Sequence, residues 1–97
     1  MKHDDLPNFA GKVVLFYLIH HTDPKRGGTA VFDPKFVTEG GRLFVRGTIP
    51  HNTTPKDWSG GVVTGIAWEH VVEYAVFDSV EDYLRRISPF TEAEPVQ

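Results

Sequence analysis

Residues 13–19, VVLFYLI, form the longest unbroken apolar run in this chain of 97 residues. The run is rich in β-branched and aromatic side chains. It is bounded by Gly11 on one side and by the turn-forming HHTDPKRGG on the other, which predicts a strand over about 12–19. Such a strand points Val13, Leu15, Tyr17 and Ile19 one way and Val14, Phe16 and Leu18 the other. Both faces are apolar, so both need cover. A chain of this length makes one domain. The covers on offer are therefore a C-terminal helix, the N-terminal arm, or a second copy of the chain.

The arm is residues 1–10, in which Leu6 and Phe9 are available to dock. After the first strand, TAVFDPKFVTEGGRLFVRGTIP reads as a hairpin turning at Gly40-Gly41, with strands at about 30–38 and 42–49. The two-residue turn sets the register. Glu39 faces Arg42, Thr38 faces Leu43, Val37 faces Phe44, Phe36 faces Val45 and Lys35 faces Arg46. Alternation then puts Phe32, Phe36, Leu43, Val45 and Ile49 on the core side, and Lys35, Val37, Glu39, Arg42, Phe44 and Arg46 on the opposite face. Pro34 has no amide proton to give to a ladder, so a bulge or an edge is expected at Asp33-Pro34.

Beyond the polar loop PHNTTPKDWSGG, residues 50–61, the segment VVTGIAWEHVVEYAVFD reads as strands at about 62–68 and 71–77 joined by a tight turn near Glu69-His70. A helix is expected over about 80–88. Ser79 is its N-cap and Asp82 stands at the capping-box position. Val80, Tyr83, Leu84 and Ile87 make its apolar stripe, with Glu81 and Asp82 at its start and Arg85 and Arg86 at its end. Pro89 is expected to stop it and to leave residues 89–97 as a flexible tail, so that residues 11–88 form the globular domain.

These elements specify a mainly β fold with one C-terminal helix (α+β), built on a small, strongly bent antiparallel sheet or a partly open barrel. The order strand, hairpin, long loop, strand, tight turn, strand resembles that of SH3-like and Sm-like small barrels. The resemblance implies an architecture and carries no function.

The chain has no cysteine, which excludes disulfides, a thiolate nucleophile and a cysteine-bound zinc. The start, MKHDDLPNFAGK, lacks the apolar stretch of a signal peptide, and no run is long enough to span a bilayer. A cytoplasmic protein without a membrane partner is expected. The net charge of −3 is unevenly spread. Lys25, Arg26, Lys35, Arg42 and Arg46 make the middle basic, and the last third is acidic. Duplex nucleic acid calls for a clear positive balance and is not an expected partner.

Four groups of residues invite chemistry. Trp58 lies in the polar loop with His51, Asn52 and Asp57. It is expected to fold back as a peg that closes the end of the sheet and pins a loop too long for its own backbone bonds. The competing reading presents it as a rigid recognition face, with His51 beside it. His20 and His21 are adjacent, with Asp23 nearby and His51 in another loop. Neighbouring strand residues point to opposite faces, so this spacing predicts no metal site and no cofactor. Ser59, His51 and Asp57 share one loop without a nucleophile elbow, and Glu69 and Glu73 read as solvated carboxylates. Lastly, Arg42, Phe44 and Arg46 alternate along one strand with Lys35 facing them, which makes a surface for an anion, a flat base or an acidic peptide. The competing reading covers Phe44 with the helix or a second copy and neutralises Arg42 with Glu39.

Together these features point to a small non-catalytic interaction domain. It would be a self-associating protein-binding module and homo-oligomer, or an inhibitor or immunity-type protein whose acidic end suits a basic target. The alternative is a binder of a small anionic, nucleotide-like ligand through Arg42, Phe44, Arg46 and Lys35. The third reading, a metal-dependent or serine hydrolase, would need the histidines.

Overall fold

The early apolar run forms β1, Val13–Leu18, inside a five-stranded antiparallel sheet. The computed structural model of the chain describes residues 6–19 and 28–93, leaving aside the side chains of residues 88–93. The other strands are β2 (Thr29–Glu39), β3 (Arg42–Thr48), β4 (Val63–Ala67) and β5 (Val71–Phe77), followed by the helix α1 (Val80–Ala93). Their order across the sheet is β4-β3-β2-β1-β5, so β4 and β5 are the edges. The sheet is not closed, consistent with a partly open barrel.

Each face of β1 has its own cover. On one side Val13 packs with Ala30 and Tyr83, joined by Leu15, Phe77, Val80, Leu84 and Ile87. This is the predicted helical stripe lying across the sheet. On the other side Val14 and Phe16 pack with Val31, Val45, Ile66 and Phe9 of the arm, with Phe36, Trp68 and Val71 around them. Phe9 is the plug of this second core, with its ring centre 5.8 Å from Phe16 and 5.1 Å from Tyr74, edge to face in both cases. One chain therefore hides both sides of β1, and no second copy is required for that purpose.

The hairpin has the expected register from Lys35↔Arg46 to Glu39↔Arg42, and the bulge lies where Pro34 demanded it. Asp33 adopts a positive φ of 54° there. Its carboxylate accepts the Gly11 amide proton at 2.8 Å, which ties the arm to the bulge. The extra residue inverts the alternation of β2 upstream of it. Val31, not Phe32, fills the core, and Phe32 is left 36% exposed on the helix-bearing face. The expectation that Phe32 is a core residue is corrected by this change of parity. Gly47 sits against the same irregularity. A Cβ there would lie 2.6 Å from the Phe32 carbonyl oxygen and 2.6 Å from Val31 Cγ1, so only glycine fits.

The turn between β4 and β5 is a single 3-10 turn, Trp68–His70. A second irregularity follows: Tyr17 pairs with Glu73 but Leu18 pairs with Val71, leaving Val72 as an extra, exposed residue on β5. In α1 the Ser79 hydroxyl accepts the Asp82 amide proton at 3.0 Å. The Asp82 carboxylate does not complete a capping box. It accepts from Arg85 at 2.5 Å and from Arg86 at 3.0 Å, and these pairs hold its pKa below the usual carboxylate range, Arg86 foremost. The helix runs through Pro89 to Ala93, past its expected stop, and places Arg85 and Arg86 mid-helix. A proline withholds only its own amide bond and presses on the carbonyl four residues back. The turn before it is anchored to the sheet by Tyr83, Leu84 and Ile87, which carries the helix past that defect. Among the described residues, no helix is long and apolar enough to cross a membrane.

Three substitutions test this account by urea denaturation. Phe9→Ala, which empties the plug position, is expected to cost about 3–5 kcal/mol. Gly47→Ala is expected to cost about 1–3 kcal/mol through overpacking, whereas Gly65→Ala, with open space around it, should leave stability nearly unchanged. Equal effects at Gly47 and Gly65 would refute the close approach at the bulge.

Candidate functional site

The residues singled out from the sequence fall into three places. His20, His21 and Asp23 lie outside the described residues. Lys35, Arg42, Phe44 and Arg46 share the helix-bearing face of the hairpin, beyond the part that α1 covers. His51 and Trp58 belong to the loop that enters β4.

The hairpin face is closed electrostatically. Arg42 pairs with Glu69 at 3.0 Å, Arg46 with Glu39 at 3.1 Å, and Lys35 approaches Asp33 at 3.8 Å. Glu39 thus serves Arg46 and not Arg42, which is taken by the turn after β4. Phe44 lies outside the core that α1 covers. It is half-buried, with the Arg42 guanidinium 5.6 Å from its ring centre. A shallow groove of about 350 Å³ lies beside it, lined by Phe32, Asp33, Lys35, Arg46, Gly47, Thr48 and Val63.

The loop is ordered by its own side chains, contrary to the expectation that it needs the tryptophan. Asp57 is the hub. Its Oδ2 lies 2.8 Å from His51 Nδ1, and its Oδ1 accepts the Asn52 amide proton at 2.8 Å. An ionised carboxylate only accepts, so His51 donates its Nδ1 proton. These bonds, His51 first, hold the Asp57 pKa below the usual carboxylate range. The Thr53 hydroxyl donates to the Pro50 carbonyl, and the Thr54 and Ser59 hydroxyls bond each other at 2.8 Å. Backbone bonds from Ile49 to Val62 and from Gly61 to Ile49 close the base.

Ser59 of this loop is fully enclosed, while Trp58 is 73% exposed. The peg role therefore passes from the tryptophan to the serine. Small size and a satisfied hydroxyl let Ser59 go in, and the 3-10 turn Pro55–Asp57 before it leaves the larger side chain outside. The Ser59 hydroxyl is enclosed and engaged with Thr54, and the His51 Nδ1 is engaged with Asp57. Among the described residues, no group of three or more metal-ligating side chains occurs. Trp58 instead overhangs a cleft of about 320 Å³ whose wall includes Thr29, Ile49, Thr54, Ser59 and Tyr83. Burial raises the Tyr83 pKa.

From this loop the chain passes directly into β4 through Val62 and Val63, which are 48% and 56% exposed. Strand β4 bonds β3 without a register shift, and among the described residues no strand pairs with its outer side. Residues 62–67, VVTGIA, contain no charge and no proline. That charge-free run was readable in the sequence, but its position at an edge was not, because edge status depends on strand order. The other edge, β5, is interrupted by the Val72 bulge and carries Glu73.

Comparison with known proteins finds no matching family model, no similar curated protein and no similar solved structure.

The Asp57 hub predicts acid sensitivity of the loop. A depressed folded-state pKa contributes stability that is complete above the ordinary aspartate value, about 3.9, and is lost as pH falls through the lowered folded value. Trp58 fluorescence should therefore report a loosening of the loop in that acid window, and Asp57→Asn should show the loosened signal already at neutral pH. An unchanged loop signal in Asp57→Asn would remove the hub.

Proposed function

We propose that this chain is a small non-catalytic binding module that captures an extended polypeptide segment along the outer side of β4, with Trp58 as an aromatic anchor where the strand begins. The observation that carries this reading is the contrast between the two edges. Sheet edges are ordinarily guarded by charge, proline, a bulge or a cover, because their free amides and carbonyls invite another strand. β5 has a bulge and Glu73, whereas among the described residues β4 has none of these guards, begins with exposed Val63 and is preceded by exposed Val62 and Trp58. Main-chain bonds would supply affinity, and alternate side chains would supply specificity.

An inhibitor or immunity-type role is a special case of this activity, in which the captured strand belongs to the target. Anion capture by Arg42, Phe44 and Arg46 has less support, because each nearby cation already has a carboxylate partner. Exposed pairs of this kind hold weakly, about 0–1 kcal/mol each, but an incoming anion would have to displace them.

Selection of a random-peptide display library on the immobilised chain tests the proposal. Charge-poor extended peptides are expected, with affinity falling at least about tenfold in Trp58→Ala, as for an aromatic hot spot, and lost in Val63→Lys. Both variants should keep the wild-type circular dichroism, since both positions are exposed. Binders indifferent to both substitutions would exclude β4 as the site.

A further inference from the structure

Resting on the strand-capture reading, we infer that the segment β4 accepts is β4 of a second copy of this chain, antiparallel and centred on Gly65, giving a two-fold dimer with one continuous sheet. The charges around the edge select the occupant. Lys35, Arg42 and Arg46 are closed by Asp33, Glu69 and Glu39, so these three cations are not free for a charged strand, and β4 carries no charge of its own. A charge-free strand suits it. Of the two edges of this sheet only β4 is charge-free, because β5 brings Glu73 and a bulge that breaks the ladder. Pairing β4 with β5 of another copy would also leave free edges at both ends and grow without closing, whereas β4 on β4 closes at two copies.

The register follows from the side chains. With Gly65 on the axis, Val63 faces Ala67 of the second copy and Thr64 faces Ile66 of the second copy. The two Gly65 residues meet where nothing lies within 4 Å of a Cβ, so neither copy obstructs the other at the axis. No like charges face each other along the new ladder.

The absence of native cysteine gives a sharp test. Facing residues in an antiparallel ladder have Cα atoms about 4.5–5.5 Å apart, within the span a disulfide bridges. Gly65→Cys should therefore form a covalent dimer under mild oxidation. Val63→Cys should not, because its own copies would lie roughly 13 Å apart along the strands. Light scattering should report a dimer for the wild-type chain and a monomer for Val63→Lys, with circular dichroism unchanged. A wild-type monomer at the highest concentration reached, a Gly65→Cys thiol that stays reduced, or faster cross-linking at Val63→Cys would each overturn the proposal. If the chain is a monomer but still binds charge-poor display peptides in a Val63-dependent way, self-pairing falls and strand capture stands. If it is a monomer and binds none, both fall.

Discussion

The structure depends on hiding one strand from water on two sides at once. β1 has no polar face to turn outward, so α1 is drawn onto Val13 and Leu15, while the arm and the bent outer strands are drawn onto Val14 and Phe16. Phe9 is small in sequence terms, a single aromatic in a polar arm, yet it closes a core that a sheet open on that side could not keep dry. Its position is reinforced by the bond from the Gly11 amide to Asp33, so the arm and the β2 bulge hold each other.

That bulge has consequences across the sheet. By inverting the alternation of β2 it moves Phe32 to the helix-bearing face and sets Val31 over Gly47. The helix covers β5, β1 and the start of β2 on that face, and the rest of the hairpin stays uncovered with β4 beside it. The same event that completes the core therefore also shapes the outer groove in which Phe32, Thr48 and Val63 stand in one row across three strands.

Polar groups near this outer half are arranged to satisfy themselves. Three cations each meet a carboxylate, and the 50–61 loop spends its hydroxyls, His51 and Asp57 on internal bonds. Trp58, Val62 and Val63 add exposed apolar surface beside the outer side of β4, where no strand pairs among the described residues. On the strand-capture proposal, such a surface would recognise shape and main chain rather than charge.

Local pattern settled a large share of this molecule. The run Val13–Ile19, the Gly40-Gly41 turn with its register, the bulge at Pro34 and the stripe of Val80, Tyr83, Leu84 and Ile87 all rest on short-range rules of backbone geometry and periodicity. Tertiary structure decided what those rules cannot reach. Which of Val31 and Phe32 is buried depends on the count of residues through a bulge, and the fate of Trp58 depends on whether Ser59 can satisfy its hydroxyl inside. The ion partners of Arg42 and Arg46 depend on which strand end arrives beside them, and the helix outlasts Pro89 because its preceding turn is held by the sheet. The edge position of β4 belongs to the same class: VVTGIA reads alike in the middle of a sheet or at its margin, and only the order of strands leaves one side of its backbone without a strand partner among the described residues.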